Sequence, residues 1–149
     1  MVLTTEELID YCKESMDDLN IINSWGETAI FYNPGQRLKR GIYIATIKES
    51  DGKNDSSSHL NREGVYRLNI GVNKETFTRR FGPLPKRASA GEVVDMGYDF
   101  STLDKFLPHP VYAWMGWICI LNPSADKMNE IKACLLDAFT YAKNKGKSK

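Results

Sequence analysis

The side chains with the clearest capacity for chemistry are few and widely spaced. Arg67 and Asn69 stand two apart in a stretch of alternating character, so an extended backbone turns both to one face. A guanidinium beside a carboxamide can grip a carboxylate or phosphate in a fixed plane. His109 lies between Pro108 and Pro110, which stiffen its backbone, and Tyr112, Trp114 and Trp117 follow closely. An imidazole held near aromatic walls can bind a ligand or transfer a proton. Arg67, Asn69, His109 and Trp114 therefore form the candidate ligand site. Arg67 would supply charge, Asn69 and His109 hydrogen bonds and Trp114 an apolar wall, with a small anionic molecule as the ligand. The competing readings are purely structural: Arg67 paired with an acid such as Asp95, Asp99 or Asp104, and His109 bonded to a backbone carbonyl to pin a corner. Catalysis with His109 as acid or base needs a carboxylate or nucleophile partner that the sequence does not identify.

Other chemistries lack their motifs. The second histidine, His59, sits in a polar stretch, and no HxxxH, CxxC or acidic calcium-loop spacing occurs, so no metal or cofactor is expected. The P-loop, GxGxxG and GxSxG patterns are absent. Basic residues cluster at Arg37, Lys39 and Arg40, again at Arg79 and Arg80 with Lys86 and Arg87, and in the lysine-rich end. Gathered on one side, Arg37, Lys39, Arg40, Lys86 and Arg87 could contact nucleic-acid phosphates; dispersed, they are solvated loops. The net charge of +1, from 20 basic and 19 acidic residues, gives no global bias toward nucleic acid or anionic membrane.

The 149 residues, 42 % hydrophobic and 26 % charged, suit one globular domain, expected over residues 1–143 with a frayed basic tail at 144–149. Cys12, Cys119 and Cys134 are too few and scattered for a disulfide framework, which fits a reducing compartment. The acidic start carries no export signal, and the apolar stretch at 111–121 is about half of the roughly 20 residues a membrane helix needs, so a cytoplasmic protein is expected.

Hydrophobic spacing predicts the elements that must position the site. Thr4 and Glu7 match a capping box, and Leu8, Cys12, Met16 and Leu19 recur at helical spacing, which predicts a helix over residues 5–19. Trp25 before Gly26 reads as a lid on the core. Residues 28–32 and 42–47 read as a hairpin with Arg37, Lys39 and Arg40 at its tip. Residues 48–63, almost without apolar side chains, read as a long exposed loop that burial cannot order. Residues 65–72 form a third strand with Tyr66, Leu68, Ile70 and Val72 on the core side. Asn73 caps a short helix in which Phe77 and Phe81 stack one turn apart. Residues 84–97 are irregular, with a further short strand near Val93. Residues 111–121 read as a long central strand that turns Trp114 and Trp117 to opposite faces. Asn122-Pro123 opens a closing helix that ends near Lys143. Cys12 and Cys119 read as inert buried thiols.

The strings Trp25-Gly26-Glu27-Thr28, Phe31-Tyr32-Asn33-Pro34, Tyr66-Arg67-Leu68-Asn69-Ile70-Gly71, Leu107-Pro108-His109-Pro110-Val111-Tyr112 and Leu121-Asn122-Pro123 resemble an uncharacterised bacterial family of small proteins. The order of elements is more distantly similar to the MmcQ/YjbR family, with Arg67-Leu68-Asn69 and His109 with Trp114 or Trp117 in the corresponding stretches. That resemblance implies an α+β domain with a curved antiparallel sheet of four or five strands packed by N- and C-terminal helices. It also implies DNA binding through a double-wing arrangement. The longer polar loop before Val65, the segment at 84–97 and the weaker positive charge depart from that pattern.

Overall fold

A computed structural model describes residues 1–147 of the chain. Helix α1 (Thr5–Ser15) begins at the expected capping box: Thr4 Oγ1 accepts from Glu7 N, and the Glu7 carboxylate accepts from Thr4 N, both at 3.1 Å. The helix stops four residues short of Leu19. Met16 is already extended, Asp18 takes a left-handed φ of 61°, and the segment around the β-branched pair Ile21-Ile22 becomes strand β1 (Leu19–Ser24). Strands β2 (Glu27–Tyr32), β3 (Ile42–Lys48) and β4 (Arg67–Ile70) follow, then helix α2 (Lys74–Phe81), β5 (Phe106–Pro108), β6 (Ile118–Leu121) and helix α3 (Met128–Lys147).

The strands form one open sheet in the order β1-β2-β3-β4-β6-β5, with every neighbouring pair antiparallel. The α+β class stands as expected, but the sheet has six strands rather than four or five. The two additional strands are its edges. β5 is only three residues long and ends on Pro108, a residue tolerated at an edge, where one side of the backbone has no ladder to complete. No strand forms near Val93: the segment is irregular, and Val94 is buried there while its N–H bonds to Pro110 O.

Ala45, Ile47, Leu68, Ile70, Ile118 and Ile120 share one core with Leu8 and Cys12 of α1 and with Ile131, Leu135 and Ala138 of α3. α3 continues past its expected end near Lys143 to Lys147; residues 148–149 of the expected tail lie outside the described residues. Asn73 caps α2 by accepting from Glu75 N, and Phe77 and Phe81 pack at 5.4 Å as their spacing predicts.

Trp25 does not cover the core. It is 97 % exposed at the two-residue turn between β1 and β2, where Trp25 and Gly26 both have positive φ, 54° and 75°. The turn geometry throws its side chain outward. No helix among the described residues is long and apolar enough to cross a membrane.

The opposite face of the sheet is polar in the middle. Register places Thr46 beside Asn69 and Cys119, and Lys48 beside Arg67 and Leu121. Residues 49–66 fold across part of this face instead of standing off it. Ser58 and Leu60 are fully buried, and Leu60 joins Leu107, Cys119 and Leu121 in a second small core. Burying one leucine contributes about 2 kcal/mol, and polar contacts supply the remaining order. Asp51 Oδ1 accepts from Leu60 N, and Arg62 donates to Ser58 O and Ser101 O.

Candidate functional site

Arg67 is the largest fully buried side chain among the described residues. Its guanidinium is satisfied almost entirely from within the chain. Nε donates to Asn69 Oδ1 at 2.7 Å; Nη1 donates to Asp55 Oδ1 and to Ser58 Oγ, both at 2.9 Å; Nη2 donates to Asp55 Oδ2. The partner acid is thus Asp55, from the polar segment, and not Asp95, Asp99 or Asp104. Burial alone would raise the Asp55 carboxyl, but the hydrogen bond and charge of Arg67 outweigh it and leave the group below the usual carboxylate range. Asn69 passes the chain of bonds onward through Nδ2 to Thr46 Oγ1 at 2.9 Å.

His109 joins this network, with Nε2 3.3 Å from Arg67 Nη2. Its Nδ1 accepts the N–H groups of Val111 and Tyr112, each at 3.0 Å. The imidazole therefore accepts amides instead of donating to a carbonyl. This capture also explains why the long strand expected over residues 111–121 does not form. The first two amides of that run are turned onto a side chain, a single 3-10 turn follows at Ala113–Met115, and Gly116 is left-handed with φ 92°. Only Ile118–Leu121 remains for the ladder. Burial first, and the neighbouring Arg67 charge second, push the His109 pKa well below 6.5, so the ring is neutral at physiological pH.

Beside the network lies a cleft of about 690 Å³. Thr46, Asp55, Asn69 and His109 line its polar part, and Tyr43, Tyr112, Met115 and Trp117 line it elsewhere. Four charged residues line it, Glu27 and Asp55 against Lys48 and Lys145, so the two signs balance. Lys48 is paired with Glu27 at 3.7 Å. Trp117 rests directly on Gly71, where a Cβ would come within 2.9 Å of the indole. Tyr43 meets the Trp117 ring edge-on at 6.1 Å and packs against Phe31 at 4.4 Å, which extends an aromatic row across the sheet.

Three of the four candidate residues thus come together: Asn69 and His109 line the cleft, and Arg67 lies buried behind them, bonded to Asn69 and 3.3 Å from His109 Nε2. Trp114 is elsewhere, beneath the Arg87 guanidinium at 4.9 Å, and Trp117 takes the place expected of it. Sequence reasoning missed Asp55 and Tyr43, and it chose Trp114 over Trp117 for the apolar wall. Trp117 could have been found from Gly71, whose missing side chain leaves room above a strand for a large ring. The basic residues occupy separate connections, Arg37, Lys39 and Arg40 between β2 and β3, and Lys86 and Arg87 between α2 and β5; all five are exposed. Cys12, Cys119 and Cys134 are buried free thiols, and burial pushes Cys12 and Cys119 up to about 12. No group of three or more metal-ligating side chains occurs among the described residues.

An α+β domain with one six-stranded antiparallel sheet and a buried arginine network under a cleft is the class of protein in hand. Residues 3–149 match the model of a family of unknown function (DUF6194), and the chain belongs to that family. A crystal structure of a protein from Pseudomonas syringae is similar at 12 % identity and a TM-score of 0.47, over 94 % of this chain and 99 % of that one. No curated protein matches the sequence.

Proposed function

We propose that this protein is a small-molecule-binding domain whose site is the cleft beside His109. One observation carries the reading: a 690 Å³ concavity, of the size that holds metabolites, combines an aromatic wall with a buried, internally braced polar network. An anion remains within reach of this reading, but not through direct contact with Arg67, whose charge Asp55 already neutralises. Arg67 braces Asn69 and His109 instead. The geometry favours binding over acid or base catalysis, because His109 Nδ1 is occupied by two amides and the ring stays neutral. A thermal-shift panel of metabolites tests the reading. Ligands are expected to stabilise the wild type and to lose that effect in Trp117→Ala; a blank panel, or stabilisation indifferent to Trp117, contradicts it.

The five exposed basic residues support a second reading, nucleic-acid contact of the kind implied by similarity to the MmcQ/YjbR family. Salt-sensitive retention on duplex DNA, reduced when Arg37, Lys39, Arg40, Lys86 and Arg87 are replaced by serine, would favour it. The resemblance of the quoted strings to an uncharacterised bacterial family supports a bacterial origin, and the three scattered cysteines support a cytoplasmic location.

A further inference from the structure

Two side chains that line the polar part of the cleft, His109 and Thr46, each carry a hydrogen free to donate. Since His109 Nδ1 accepts from two backbone amides at 3.0 Å, that nitrogen carries no proton and the ring hydrogen sits on Nε2. The neighbour of Nε2 at 3.3 Å is Arg67 Nη2, which also carries hydrogens and has no lone pair to offer. Two donors therefore face each other, and the contact is not a hydrogen bond in this tautomer. The guanidinium agrees with this count. Four of its five N–H groups reach Asn69, Ser58 and the two Asp55 oxygens, and the fifth has only the imidazole beside it. His109 is 3 % exposed and lines the cleft, so a buried donor in the cleft wall has no acceptor in that contact. Thr46 also lines the cleft; its Oγ1 accepts from Asn69, and its own hydrogen is left to donate.

We propose that the ligand presents an oxygen acceptor, a carboxylate or a carbonyl, to His109 Nε2–H and Thr46 Oγ–H, and lays a planar apolar body against Trp117 and Tyr43. This rests on the cleft being the binding site. The balanced charge of the lining makes donor geometry, rather than net charge, the selective element. A neutral imidazole fixed as the Nε2–H tautomer is a suitable donor to a carbonyl oxygen. Arg67, Asp55 and Asn69 act through His109 and Thr46 and are positioning residues.

The test uses the wild-type chain and three probes of matched shape: phenylacetate, phenylacetamide and phenethylamine. Calorimetry and amide NMR titration at millimolar concentration are expected to show the two oxygen-bearing probes binding at Tyr43, Trp117 and Tyr112, and the amine at least tenfold weaker. Long-range ¹H–¹⁵N spectra of the imidazole should show Nε2 protonated and Nδ1 bare, with the Nε2 resonance moving when phenylacetate is added. Thr46→Val is expected to weaken phenylacetate at least threefold, whereas Thr46→Ser leaves it within twofold. Binding of the amine as tight as that of the acid overturns the acceptor class while leaving the cleft as a site. A protonated Nδ1 overturns the donor assignment. If none of the three probes reaches the cleft and the metabolite panel is also blank, both readings fail together.

Discussion

Replacing Asp55 by asparagine tests the buried network most severely, because the change preserves shape and removes only a charge and one acceptor. Arg67 has no exposed side-chain surface, and Asp55 is 17 % exposed, so solvent screens the pair little. In the variant the amide oxygen still accepts one guanidinium N–H, but the amide nitrogen turns a donor toward another. The guanidinium keeps its bonds to Asn69 and Ser58 and loses its counter-charge. Breaking a buried pair from one side costs about 3–5 kcal/mol, since the remaining charge is uncompensated. The retained bonds place Asp55→Asn near the lower end, about 3 kcal/mol, or roughly 6–12 °C in Tm for a chain of this size. Urea unfolding with an unchanged m-value would read the loss directly. A loss below about 1 kcal/mol would refute the reasoning, because it would mean that the guanidinium escapes to water at little cost and residues 49–66 are not held by it.

Both Asp55, lowered from 3.8, and His109, lowered from 6.5, are less readily protonated when folded. Their contributions are therefore complete above those values and lost as pH falls, and chemical denaturation should show stability declining below pH 6.5 and more steeply below 3.8. A flat profile over that range would contradict both assignments. Gly71→Ala should lower stability by about 1–3 kcal/mol and alter tryptophan fluorescence, because the new methyl meets the Trp117 ring; an unchanged spectrum would mean that the indole does not rest there. Trp25→Asn should leave stability unchanged or raise it by up to about 1 kcal/mol, since asparagine suits the left-handed turn and Trp25 buries nothing. A clear loss in urea unfolding would assign Trp25 a packing role. Cys12 and Cys119, buried and with pKa values near 12, should resist thiol reagents in the native protein and react only on unfolding.

What the sequence made legible follows from where the deciding interactions are local. The capping box at Thr4, the Asn73 cap and the Phe77–Phe81 pair each lie within one helical turn, and all appear in the structure. The alternation around Arg67 and Asn69 is equally local, and it placed both on the face opposite the main core. Failures occurred where one segment is decided by a distant one. The run at 111–121 has strand character, yet His109 takes the amides of Val111 and Tyr112 and turns the chain away. Residues 49–66 have no apolar periodicity, and what orders them is a guanidinium on β4 and a gap over β6 that Leu60 fills. The partner of Arg67 stands twelve residues earlier in a stretch read as a long exposed loop, and no spacing rule points to it. Trp114 and Trp117 could not be told apart until the 3-10 turn at Ala113–Met115, which carries Trp114, was known.

The central claim is that the face bearing Asn69, His109 and Trp117 binds a small molecule, and mapping ligand-induced amide shifts onto the assigned protein tests it most directly. With the most stabilising compound of the metabolite panel, the largest shifts are predicted at Tyr43, Thr46, Tyr112 and Trp117, all of which line the cleft. Shifts confined to Arg37, Lys39, Arg40, Lys86 and Arg87, with the cleft residues unmoved, would contradict the account.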